Sequence, residues 1–115
     1  MPKKAFIIVR GHFEFCHKYE GAPAEVSYLR SLHRHVFNYE VKLEVYHDDR
    51  ELEFIMVKHD IEQYLNMRHE KWSDKTSCEQ MAKSIGLWLQ SKHGFERELY
   101  VSVFEDNENG AKVIM

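Results

Sequence analysis

Over residues 37–45 the chain alternates without a break. Phe37, Tyr39, Val41, Leu43 and Val45 take the odd positions, and Asn38, Glu40, Lys42 and Glu44 take the even ones. Side chains two apart on an extended strand share a face, so this segment fits a half-buried β-strand and no helix. Residues 5–15 repeat the pattern with Ala5, Ile7, Val9, Gly11, Phe13 and Phe15, although Phe6 and Ile8 make the start apolar on both faces. Residues 18–31, with Gly21 and Pro23 among scattered polar groups, read as a loop. Leu99, Val101 and Val103 restore the alternation, residues 107–110 supply turn chemistry, and residues 111–115 can form a closing strand.

Apolar strand faces need a cover, and the middle of the chain provides one. Phe54, Val57, Ile61, Tyr64 and Leu65 recur at three- and four-residue steps, which predicts a helix over 54–67. Ser77 and Gln80 form a capping-box pattern ahead of the stripe Cys78, Met81, Ala82, Ile85, Trp88 and Leu89. Lys92-His93-Gly94 marks the end of that second helix. The order strand, strand, helix, helix, strand, strand predicts an α+β fold in a single domain over 1–115. It consists of a four-stranded antiparallel sheet with two helices on one face. The opposite face carries Phe6, Ile8, Tyr100 and Phe104, and another subunit is the expected cover.

Composition narrows the function classes. A chain of 115 residues with 43% hydrophobic and 30% charged residues is globular, and 16 basic against 19 acidic residues argue against nucleic acid as a partner. No run approaches the ~18 apolar residues of a membrane span, and the apolar run at 5–9 is too short for a signal-peptide core. Two cysteines, Cys16 and Cys78, make no disulfide framework, so a reduced, cytoplasmic protein is expected.

Eight histidines stand out in a chain of this size. His33 and His35 share parity with the buried stripe of the 37–45 strand, and His17 extends the odd stripe of the first strand. If those strands are antiparallel neighbours, the end of one lies beside the start of the other. Three imidazoles then converge at one end of the sheet, on the helix-covered face. Three nitrogens with a fourth position open is the pattern of a catalytic zinc. Parity alone leaves the alternative of loop histidines hydrogen-bonded near a sheet edge. Glu105 ends the odd stripe of the third strand in the same way, either as a solvated strand end or as an anchor for a ligand's N–H donors. His69, between the helices, is a surface residue or a proton carrier. His12, His47, His59 and His93 need no special role.

Five short motifs in order resemble the 6-pyruvoyl-tetrahydropterin synthase and 6-carboxytetrahydropterin synthase family. Phe13-x-Phe15-x-His17 is similar to its F-x-A-x-H, and Leu32-His33-Arg34-His35 to its L-H-G-H. Glu53-Phe54 is similar to its D-F, and the run from Ser77 to Ala82 to its T-x-E-N-L-A. Val101-x-Val103-x-Glu105 follows its V-x-V-x-E-T. The resemblance implies a tunnelling fold, in which sheets from three subunits join into a barrel, giving a homotrimer or hexamer. It implies Zn²⁺ on His17, His33 and His35, and Glu105 as the substrate-binding anchor of a pterin or purine-like ring. It also implies triphosphate elimination from dihydroneopterin triphosphate or a related compound, a carbon–oxygen lyase reaction. The sequence departs from the family at the proton-transfer groups. Leu29 stands where the family's base cysteine does, and Arg68-His69 replaces its Asp-His pair, which leaves His69 as the candidate catalytic residue. Val36 and Phe37 stand where the family often has Asn-Tyr. Two other readings follow. One is a zinc- and pterin- or purine-binding homologue without turnover, with a sequestering or regulatory role. The other is an oligomeric interaction domain with incidental histidines.

Overall fold

The computed structural model describes residues 4–67 and 72–115. Arg68 and the candidate catalytic residue His69 lie outside them. Four strands, β1 (Ala5–His17), β2 (His33–Val45), β3 (Leu99–Glu105) and β4 (Gly110–Ile114), form one antiparallel sheet in the order β1-β2-β3-β4. Helices α1 (Phe54–Asn66) and α2 (Cys78–His93) lie between β2 and β3 in the chain. This is the expected α+β architecture.

Parity decides which face the helices cover. Val9, Phe13, Phe15, Phe37, Tyr39, Val41, Leu43, Leu99, Val101 and Val103 are all buried. They form one cluster with Val57, Ile61, Tyr64 and Leu65 of α1 and Met81, Ala82, Ile85 and Leu89 of α2. Across the helices, Trp72 Nε1 donates to Ser84 Oγ at 2.9 Å, and the Tyr64 hydroxyl bonds to the same oxygen. The α2 capping box forms as read, with Ser77 Oγ accepting from Gln80 N–H and Gln80 Oε1 from Ser77 N–H. Phe54 departs from the reading. It is 51% exposed at the first turn of α1, and Leu52, two residues upstream, packs against the core. Glu53 supplies the start signal by accepting from Ile55 N–H at 2.9 Å. The loop before β2 holds a short 3₁₀ stretch, Ala24–Arg30.

The two long strands overrun the rest of the sheet, and this positions the site. β1 pairs with β2 from Ala5↔Val45 to His17↔His33, whereas the β2–β3 ladder runs only from Leu43↔Leu99 to Phe37↔Glu105. Residues 33–36 therefore extend past the end of β3. Asp106 and Asn107, both at positive φ (52° and 58°), turn the chain there toward β4. Asp and Asn tolerate the left-handed region better than most residues. Gly110 completes the turn, because a Cβ there would collide with the Val103 and Phe104 backbone.

At the opposite end of the hairpin a buried arginine holds the elements together. Arg97 donates through Nη1 and Nη2 to Glu51 at 2.8 Å each, through Nη1 to the Glu44 carbonyl at 3.0 Å and through Nε to the His93 carbonyl at 2.9 Å. Its guanidinium also stacks 4.2 Å from the Tyr46 ring. Among the described residues, no helix is long and apolar enough to cross a membrane.

Candidate metal centre

The ladder puts His17 directly opposite His33, and His35 follows two residues along on the same face. Their rings crowd together, with centroids 4.5 Å apart for His17 and His33, 4.9 Å for His33 and His35, and 5.9 Å for His17 and His35. Phe37 forms the wall behind them, fully buried, with its centroid 5.2 Å from His17 and 6.0 Å from His35. Because Phe37 pairs with Glu105, the last residue of β3 is delivered to the same corner. Among the described residues, His17, His33, His35 and Glu105 form a group whose ligand atoms all lie within 4.8 Å of one another. The three histidines and the glutamate singled out by parity are thus brought together.

Each imidazole is pinned through one nitrogen. His17 Nδ1 lies 3.0 Å from the Thr76 carbonyl oxygen, His33 Nδ1 2.9 Å from the Ser31 carbonyl oxygen, and His35 Nδ1 2.6 Å from Asp106 Oδ2. Carbonyls and carboxylates only accept, so each Nδ1 carries the hydrogen and donates it. In the neutral rings Nε2 is then a bare lone pair. Asp106 is held ionised, its pKa lowered first by the His35 hydrogen bond and then by the Val36 N–H, which donates to its Oδ1 at 3.1 Å. Nδ1 bonded outward to a carbonyl or carboxylate and Nε2 aimed inward is the usual support of a metal-bound histidine.

The inward side carries the chemical signal. Glu105 Oε1 stands 3.0 Å from His17 Nε2, and Oε2 stands 3.6 Å from His35 Nε2. Yet the buried His17 Nε2 has no hydrogen-bond partner among the described residues. With the rings neutral, bare nitrogens face a carboxylate across this gap. That arrangement calls for a cation, either a metal ion or a proton shared between imidazole and carboxylate, and burying His17 to 8% exposure leaves little water to take its place. Three imidazole nitrogens and a carboxylate oxygen suit zinc, whose ligands sit about 2.0–2.2 Å from the ion and so at most about 4.4 Å from one another. Small side-chain adjustments bring the group within that limit.

The centre opens into a cleft of about 550 Å³, walled in part by Lys18, Leu29, Lys75, Cys78 and Glu105. The loop that carries the Thr76 carbonyl is stitched to the end of β1, with Lys18 N–H donating to the Asp74 carbonyl at 2.8 Å. Leu29 is among the residues that line this cleft. Cys78 is a sulfur that sequence reading left on the core stripe of α2. Burial, with Glu105 and then Glu79 adding to it, pushes its thiol up to about 12, so it is protonated near neutral pH. Cys16, beside His17, is exposed on the other face of β1. Sequence reading also missed Asp106, whose signal was an Asp-Asn pair at a tight turn. The Thr76 and Ser31 carbonyls leave no mark in a sequence at all. No protein-family model matches the chain, and no curated protein matches it either.

Proposed function

We propose that the chain is a zinc protein of the 6-pyruvoyl-tetrahydropterin and 6-carboxytetrahydropterin synthase type. His17, His33 and His35 hold the ion, and the adjoining cleft takes a pterin or a purine-like ring. The observation that carries this reading is the convergence of four ligand atoms, all within 4.8 Å of one another, at the edge of a cleft. Zinc supplies Lewis-acid polarisation of a ligand oxygen there. The chain's own groups do the remaining work. Phe37 backs the imidazoles with an apolar wall, and Thr76, Ser31 and Asp106 fix their orientation. Lys18 and Lys75, which pair with Glu20 and Asp74, line the cleft beside the N-terminus of α2, and an anionic portion of the ligand would have to compete with those carboxylates for them. The reaction is a carbon–oxygen lyase step, triphosphate elimination from dihydroneopterin triphosphate or a close relative, with proton transfer assigned to His69. The open edges of β1 and β4 suit assembly into a homotrimer or a hexamer, and the free thiols of Cys16 and Cys78 suit the cytoplasm.

A second reading keeps the zinc and the ring but drops turnover, leaving a sequestering or regulatory protein. Leu29 in the cleft wall favours it, as does a Cys78 thiol too basic to serve as a thiolate. Incubation of the zinc-loaded chain with dihydroneopterin triphosphate separates the two. Triphosphate release that disappears in His69→Ala supports the lyase, whereas tight binding without release supports the second reading. A chain purified without chelators that holds no zinc contradicts both.

A further inference from the structure

The four inward-facing groups are not held alike. Every histidine is fixed through Nδ1 to a carbonyl or carboxylate. Among the described residues, the Glu105 carboxylate receives no hydrogen bond, and its polar contacts are the two approaches to His17 and His35 Nε2. Its side chain is also 34% exposed, against 10% for His17, and it belongs to the last residue of β3, next to the turn. A ligand anchor would need its carboxylate turned toward the ligand. At 3.0 Å from His17 Nε2 there is no room for a ring between the carboxylate and the imidazoles.

Resting on the zinc reading above, we propose that Glu105 is an exchangeable fourth ligand. It closes the ion's remaining position when the cleft is empty, and it is drawn away by a ligand that offers it paired N–H donors. Three pinned nitrogens keep the ion in place throughout, and one unpinned carboxylate makes the fourth position conditional. A planar group with adjacent N–H donors is the natural competitor, because it can pair with both carboxylate oxygens at once. Such a ligand exposes the metal only where it is itself bound, which protects the site from binding stray anions while it waits.

Cobalt(II) in place of zinc tests this, because its visible spectrum reports the ligand set without any turnover. Wild type, Glu105→Gln and Glu105→Ala are titrated with cobalt, and each loaded protein is then titrated with imidazole, with and without guanidinium. Both variants are expected to bind cobalt at least about tenfold more weakly than wild type, with a shifted spectrum, since even support residues around a metal are worth about 10–100-fold. Exogenous imidazole should enter Glu105→Ala at least tenfold more tightly than wild type. Guanidinium should tighten imidazole binding to wild type and leave Glu105→Ala unaffected. The wild-type arm needs no variant to fold. Equal cobalt affinity and identical spectra in all three proteins overturn the proposal while leaving the three-histidine centre standing. Failure of wild type to take up cobalt removes the centre and the proposal together.

Discussion

The two ends of the β1–β2 hairpin each hide charged and polar groups, and they do so in opposite ways. At one end, Arg97 directs four donor contacts to Glu51, Glu44 and the His93 carbonyl, with Tyr46 stacked on the guanidinium. Donors meet acceptors there, and the one orphan nearby is a single nitrogen, His93 Nε2. Burial lowers the pKa of that ring. At the other end, His17, His33, His35 and Glu105 turn four ligand atoms toward one another, and His17 Nε2 has no hydrogen-bond partner among the described residues. A satisfied polar cluster holds a fold together. An unsatisfied convergent one stores affinity for whatever completes it. The first kind should show its value in stability and the second in binding.

Mutations at the two ends should therefore separate these quantities. Arg97→Ala leaves the Glu51 carboxylate partly buried without its partner, and loss of one member of a buried pair costs about 3–5 kcal/mol. Urea unfolding should register that loss, while zinc uptake by the folded fraction stays as in wild type. A loss below about 1 kcal/mol would place this cluster on the weak, surface side of ion pairing.

Acid should expose the same pair. The Arg97 hydrogen bonds lower the Glu51 pKa from 4.5 to about 2, against a smaller opposing push from burial. A carboxylate whose folded pKa is depressed contributes stability above its unfolded pKa and loses it as pH falls through the folded one. The difference in stability between wild type and Glu51→Gln should thus be full above about pH 4.5 and should shrink toward pH 2. A difference independent of pH would detach Glu51 from acid stability.

Smaller effects belong to the histidine end. Asp106→Asn removes the anionic acceptor behind His35 and should weaken zinc binding by about 10–100-fold with little change in metal-free stability. If zinc affinity holds, His35 is oriented by packing alone. His33→Ala should abolish tight zinc binding yet shift metal-free stability by no more than about 0.5 kcal/mol, because it gives up only a partly exposed local hydrogen bond to the Ser31 carbonyl. The smallest effect concerns Tyr39, whose buried hydroxyl has no hydrogen-bond partner among the described residues and whose pKa burial raises to about 12. Tyr39→Phe should leave stability unchanged or raise it by up to about 1 kcal/mol by removing that lone unsatisfied group. A clear loss on chemical denaturation would show that the hydroxyl is engaged after all.

The sequence made the sheet legible because each strand buries one face. A period of two fixes which side chains share it, and that was enough to gather His17, His33 and His35 on one face and to put Glu105 at the end of the buried stripe of its own strand. It could not show how far β3 runs. The ladder ends at Phe37↔Glu105, and this end point, not parity, sets Glu105 against the imidazoles. The Thr76 and Ser31 acceptors are backbone atoms available at any residue, so no pattern announces them. Phe54 misled because helical spacing gives a face and not the point at which the core stops. Cys78 packs against the core as its place on the helical stripe implies, but that spacing does not show that the first residue of α2 also borders the cleft.

The most direct test of the central claim is the zinc content of the chain purified without chelators, measured beside His33→Ala prepared in the same way. The account predicts close to one zinc per wild-type chain and almost none in the variant. Equal zinc in the two proteins, or none in wild type, would contradict it.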